Sequence, residues 1–215
     1  MKLGDLLSRI RIDINDRDKD RFEDEILTDY VNEALEELFQ LAPSIFQKTV
    51  IAKLSEGDLQ QPCCCDRLYS VDAVTDAHGN KISEIRQTDG SAIIAFNKKN
   101  CVNKSLDAKP TSYALEPNSD NKFTVDPPVR PGQEVYVRLT CAIRPCEIPF
   151  DLEADLPWYA ATEYARIIDY VVYRALGTEH ESQTSRAISE ARRRTFIENL
   201  GFVITAEAKY KKTTK

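Results

Sequence analysis

Residues 22–43 read FEDEILTDYVNEALEELFQLAP, and their apolar positions decide the fold class. Phe22, Ile26, Tyr30, Val31, Ala34, Leu35, Leu38, Phe39 and Ala42 recur every three or four residues, which puts them on one side of an α-helix. Glu23, Asp24 and Glu25 fall in the first turn, where the positive end of the helix dipole favours them, and Pro43 lacks the N–H needed to continue. The spacing predicts a helix over 22–42.

Upstream, Leu3, Leu6, Leu7, Ile10 and Ile14 form a shorter helical stripe. NDRDKDR (15–21) separates the two helices. Its alternation of Asp16, Asp18 and Asp20 with Arg17, Lys19 and Arg21 predicts a solvated turn, not a catalytic or calcium site.

Downstream of Pro43 the pattern changes. Eight of the ten prolines lie between 44 and 150, helical spacing stops, and short β-prone runs alternate with turn residues. Residues 69–74 and 81–85, joined by the turn Asp76-Ala77-His78-Gly79-Asn80, read as a hairpin. Residues 112–115, 122–125 and 134–139 read as three more strands, the last two joined by a proline-stiffened connection, Pro127-Pro128-Val129-Arg130-Pro131-Gly132. An antiparallel meander is the expected topology.

Helical spacing returns after Asp155, an expected N-cap, with Pro157 in the first turn and Trp158, Ala161, Tyr164, Ala165, Ile168, Val171, Val172, Ala175 and Leu176 as its stripe. Ile167, Tyr170 and Tyr173 fill the opposite side, so this helix is expected to be buried centrally. Gly177 ends it. Thr178 with Glu181 fits a capping box for a further helix that carries Thr184, Ala187, Ile188, Ala191 and Thr195 along one side and stops at Gly201.

These elements predict an α+β protein: a helical bundle of about four helices, two N-terminal and two C-terminal, with an inserted antiparallel β domain. The expected divisions are 1–43, an N-terminal helical pair; 44–150, the β domain; 151–201, a C-terminal helical hairpin packing on the first pair; and 202–215, a flexible tail.

Composition adds constraints. The chain has 42% hydrophobic and 30% charged residues and a net charge of -6, the profile of a folded globular protein. Residues 1–42 hold 6 basic and 12 acidic side chains, whereas 183–215 hold 8 basic and 3 acidic. The two ends are electrostatic complements, able to meet within one chain or between neighbours. No signal peptide or membrane span is expected.

Chemistry-bearing motifs are few. Seven glycines leave little material for a phosphate loop or dinucleotide fingerprint, and neither His78 nor His180 has a recognisable partner motif. The chain is therefore expected not to be an enzyme, with no catalytic, cofactor-binding or metal-binding residue. Cys63, Cys64, Cys65, Cys101, Cys141 and Cys146 are expected to be reduced thiols, because three are adjacent. A strand over 63–65 would split the triplet between two faces, against a shared metal. Arg186, Arg192, Arg193 and Arg194 form a basic band that suits an acidic protein surface better than nucleic acid.

The order of helix pair, β insertion and helix pair resembles the head-to-tail adaptor (connector) proteins of tailed bacteriophages. The matching stretches are GDLLSRIRIDIND (4–16), RFEDEILTDYVNEALEELFQLAPSIF (21–46), FTVDPPVRPGQEVYVRLTCAIRP (123–145) and LPWYAATEYARIIDYVVYRALGTEHESQTSRAISEARRRTFIENLG (156–201). The resemblance implies a structural protein of the virion neck, made in the host cytoplasm, that forms a ring of twelve copies joining the portal to the tail. Its implied partners are the portal protein, a tail or nozzle protein and its own copies. DNA passes through without sequence-specific binding, no membrane is involved, and no cofactor is needed.

Within that picture, residues from 202 onward are expected to dock on the portal through Phe202, Val203, Ile204 and Tyr210, with Lys209, Lys211 and Lys212 as steering charges. Subunit contacts are expected between Arg186, Arg192, Arg193 and Arg194 and the carboxylates Glu33, Glu36 and Glu37. The alternatives are another phage neck or tail-completion protein, or a zinc- or thiol-dependent enzyme built on Cys63, Cys64, Cys65 and Cys141.

Overall fold

The computed structural model describes the backbone of residues 1–89, 108–179 and 182–213, and the side chains of these except 202 and 206–213. Among the described residues the protein is mixed α+β, with five helices and two antiparallel-rich sheets. It divides into two compact units, Met1–Phe46 with Arg144–Lys215, and Gln47–Ile143.

The first unit is helical. Helix α1 spans Leu3–Asp13 and buries Leu3, Leu6, Leu7 and Ile10, followed by Ile14 just beyond its end. Its entry is pinned by Leu3 N–H to Ala154 O and Gly4 N–H to Leu152 O, both 3.0 Å. A Cβ on Gly4 would sit 3.0 Å from Leu152 O, which explains the glycine. Helix α2, Asp24–Leu41, buries Leu27, Val31, Ala34, Leu35, Leu38 and Phe39, and a 3₁₀ turn over Pro43–Phe46 follows. The Asn32 side chain clasps the returning chain, accepting from Ile148 N–H at 2.9 Å and donating to Ile148 O at 3.1 Å.

Three helices follow: α3, Trp158–Thr162; α4, Tyr164–Gly177; and α5, Gln183–Thr213. The expected single helix from Asp155 is thus two, beginning after an N-cap at Pro157 and broken at Glu163, whose ψ of 13° leaves the helical range. Trp158, Tyr164 and Ala165, expected on the buried stripe, are exposed. Helix α4 buries Ile167, Ile168, Val171, Val172, Ala175 and Leu176 and packs against α1, α2 and α5.

Helix α5 departs most from its sequence pattern. Thr178 donates its hydroxyl back to Ala175 O, and Ser182 Oγ instead accepts from Ser185 N–H at the helix start. His180 and Glu181, the capping-box partner, lie outside the described residues. Among its described side chains the buried ones are Ser189, Phe196 and Leu200, whereas Thr184, Ala187, Ile188, Ala191 and Thr195 face solvent. The helix does not stop at Gly201. One interior glycine costs only about 1 kcal/mol relative to alanine, which the helix-forming residues on both sides outweigh.

The second unit is β. Strands β1 (Gln47–Lys53), β2 (Gly57–Gln60), β3 (Arg67–Thr75), β4 (Lys81–Glu84), β5 (Arg86–Gln87), β6 (Ser112–Leu115), β7 (Phe123–Val129) and β8 (Tyr136–Ala142) form two sheets, ordered β1-β8-β3-β4 and β2-β7-β6-β5. The β3–β4 and β6–β7 hairpins match expectation. The meander does not: β8 leaves β7 for the other sheet and pairs with both β1 and β3, and β5 runs parallel to β6. Nor do Pro127 and Pro128 form a connection. They lie inside β7, between the Leu59↔Thr124 and Gly57↔Val129 pairs, where the register shifts and no ladder N–H is required of them. Phe123, Val125, Val129, Val135, Val137 and Leu139 form the centre of its core.

Candidate interaction surfaces and the cysteine cluster

The residues expected to carry subunit contacts are distributed over α2 and α5, and much of their charge is already satisfied within the chain. Arg192 bridges two carboxylates, donating from Nη1 to Asp169 Oδ1 at 2.6 Å and from Nη2 to Asp13 Oδ2 at 2.7 Å. Asp169 is buried on α4, so this arginine ties α5 to both α4 and the end of α1. Arg193 lies over the Tyr173 ring at 5.3 Å. Arg186 and Arg194 are exposed.

On α2, Glu33 holds Arg174 of α4 through two hydrogen bonds, 2.8 and 3.3 Å, which raise the arginine above its usual range. Glu36 accepts from Arg144 at 3.1 Å and from Gln40 at 2.7 Å, and Glu37 is half-buried. The acidic and basic ends therefore meet inside one chain through Arg192 and Asp13. Arg194 and Glu37 have no ion-pair partner among the described residues.

Of the expected docking residues, Val203 is half-buried and Ile204 is exposed on α5. The side chains of Phe202, Lys209, Tyr210, Lys211 and Lys212 lie outside the described residues, although their backbone continues the helix. Trp158, Tyr164, Ile188 and Ile197 are further exposed apolar side chains of this unit.

The break over 15–21 is exposed at every residue but one, as a solvated turn requires, and the exception is Asp16. Asp16 is buried and accepts from Arg11 Nη1 at 2.5 Å, from the N–H groups of Asp20 and Arg21 at 3.1 and 3.0 Å, and from Phe22 N–H at 3.3 Å. Arg11 is equally enclosed and also donates to Asp24 Oδ1 at 2.7 Å and Phe22 O at 2.7 Å. Burial alone would raise the Asp24 carboxyl, but hydrogen bonds from Lys19 and Arg11 outweigh it and hold the group below its ordinary range. The signal in the sequence is Arg11 itself: it stands four residues after Leu7, on the apolar stripe, where a charge requires an opposite charge nearby.

Cys63, Cys64 and Cys65 occupy a turn ahead of β3, not a strand. Cys63 and Cys64 are exposed, while Cys65 and Cys141 are buried in the β core. The interaction between the two thiols pushes Cys65 up and draws Cys141 down; burial raises Cys64. Cys146 is exposed, and Cys101 lies outside the described residues. Among the described residues no cluster of three or more His, Cys, Asp or Glu side chains could hold a metal ion, and no helix is long and apolar enough to cross a membrane.

Compared with known proteins, the chain matches a family described as SU10 adaptor protein over residues 1–207. No curated protein matches it.

Proposed function

The chain belongs to the SU10 adaptor protein family, and from that premise we propose that it is a ring-forming head-to-tail adaptor joining a phage portal to its tail. The family makes it a structural adaptor of a phage particle, which points to a non-enzymatic role. The match over nearly the whole chain is the observation that carries the reading.

In the proposed arrangement twelve copies form a closed ring in the virion neck, with the portal on one side, a tail or nozzle protein on the other, and DNA passing through the centre. A net charge of -6 suits such a conduit, because an acidic lining gives duplex phosphates no adhesive site. The helices of 1–43 and 151–201 act together as a bundle that frames the ring, and the β domain is inserted into it. Residues 202–215 are the portal-docking segment, carrying Phe202, Val203, Ile204, Lys209, Tyr210, Lys211 and Lys212.

Ring contacts form heterologously between the α5 arginines Arg186, Arg193 and Arg194 and carboxylates of a neighbour, Glu37 foremost. Arg192, Glu33 and Glu36 contribute to this surface while retaining their own-chain partners.

Native mass spectrometry of the chain mixed with the portal ring of the same genome tests the reading. Stoichiometric decoration is expected, and absence of binding overturns it. Deleting residues 202–215 is expected to abolish binding; retained affinity refutes docking by that segment.

A further inference from the structure

Among the described residues two cysteines are enclosed in the β unit, and nothing in the adaptor reading uses them. Cys65 is 3% exposed and Cys141 wholly buried, both in the same apolar core as Leu68, Val71 and Leu139. Backbone pairing sets the segment that carries Cys65 beside the end of β8. Leu68 of β3 pairs with Cys141 of β8, and just ahead of β3 Asp66 N–H bonds to Ala142 O at 3.1 Å, so the residue that follows each cysteine is joined to the other across the strands.

Buried thiols are ordinarily inert because carbon surrounds them. Here both thiols point into one apolar core and the residues that follow them are hydrogen-bonded to each other, so side-chain rotation within that core brings the sulfurs to an S–S bond of about 2 Å. Cys64, next in the chain, is exposed and presents a sulfur that an oxidant can reach without opening the core.

We propose that Cys65 and Cys141 form a dithiol lock on the β unit, closed by exchange with a low-molecular-weight disulfide of the glutathione class. The exposed Cys64 thiolate attacks one oxidant sulfur; the oxidant's S–S bond breaks, a mixed disulfide forms, and one reduced thiol leaves with the Cys64 proton. The Cys141 thiolate attacks the Cys64 sulfur and releases the second reduced thiol, which carries off the Cys141 proton. Cys65 then attacks the Cys141 sulfur, and Cys64 departs as a thiol with the Cys65 proton. In sum, Cys65 and Cys141 give up two electrons and two protons, and one oxidant disulfide becomes two thiols.

The timing of closure rests on the reading of the chain as a virion component: open in the reducing cytoplasm where it is made, closed once the particle is outside. The chemistry does not depend on that reading. Closing the loop between Cys65 and Cys141 restricts the unfolded chain, so the lock raises the unfolding temperature.

The test uses the purified full chain, folded, with oxidised glutathione, followed by fragmentation mass spectrometry without reductant. The expected result is a Cys65–Cys141 link and an unfolding midpoint higher by roughly 10 °C, reversed by excess reduced glutathione. Links or glutathione adducts confined to the other cysteines, with this pair still reduced, overturn the proposal. A Cys64→Ser variant is expected to reach the same link more slowly; an unchanged rate overturns the entry step. No portal is present, so failure here leaves the adaptor reading untouched, and failure of portal binding leaves the lock untouched.

Discussion

Two corners of the helical unit each set one arginine between two aspartates, and they differ in how much water reaches them. At the α1–α2 corner, Arg11 meets Asp16 and Asp24 with its side chain 5% exposed. At the α5 corner, Arg192 meets Asp13 and Asp169 with 35% exposure. Distances are nearly the same in both, so geometry does not distinguish them. The dielectric does: a charge enclosed by protein that loses its partner stays desolvated, whereas a half-exposed one is reclaimed by water. The first corner is a structural knot, and the second is an adjustable tie.

Removing the enclosed arginine is the strongest way to break this comparison. Arg11→Met leaves Asp16 buried without a counter-charge and is expected to cost about 3–5 kcal/mol in urea unfolding. A loss below about 1 kcal/mol would show that water reaches Asp16 and that the two corners are alike. Asp16→Asn keeps the shape but weakens four hydrogen bonds at once, with an expected loss of about 2 kcal/mol.

Acid titration separates the corners next. The Asp24 carboxyl lies below its unfolded value, so its contribution is complete above about pH 4 and disappears as the pH falls through the folded value. Between about pH 4 and pH 2 the wild type is expected to lose stability more steeply than Asp24→Asn. Parallel curves would remove Asp24 from the account.

At the open corner the effects shrink. Asp13→Asn is expected to cost about 0.5 kcal/mol, because Asp13 and Arg192 are both about a third exposed, and the Arg192–Asp13 coupling in a double-mutant cycle less than about 0.5 kcal/mol, falling with added salt. Smallest of all, Arg194→Glu is expected to leave monomer stability within about 0.5 kcal/mol while weakening ring assembly. Reversing Arg194 alone is the cleaner assembly probe, because reversing Arg192 would set it against Asp13 and Asp169 of its own chain.

The same contrast explains what was readable in the sequence. The stripes of α1 and α2 were legible because a helix repeats its buried face every three to four residues, and Leu3, Leu6, Leu7, Ile10, Val31, Leu35 and Leu38 all lie inside. The stripe chosen for α5 was wrong because Ser189, Phe196 and Leu200 make a thin buried face, and nearby alanines and threonines imitate a broader one. For the expected contact residues, the sequence displays the charges but not their partners within the chain. That Arg192 meets Asp13, 179 positions away, and that Glu33 meets Arg174 are consequences of packing.

By itself, the sequence determined the stripes of α1 and α2, the two hairpins, the α+β class and the family resemblance, because each depends on local periodicity, turn chemistry or order along the chain. Only the tertiary structure decided that β8 crosses to the other sheet, that Asp16 is the centre of a buried knot, that Cys65 and Cys141 share one buried core, and that α5 turns Ser189, Phe196 and Leu200 inward. Those outcomes are set by which distant segments exclude water together, and desolvation is a property of the assembled neighbourhood that no local spacing records.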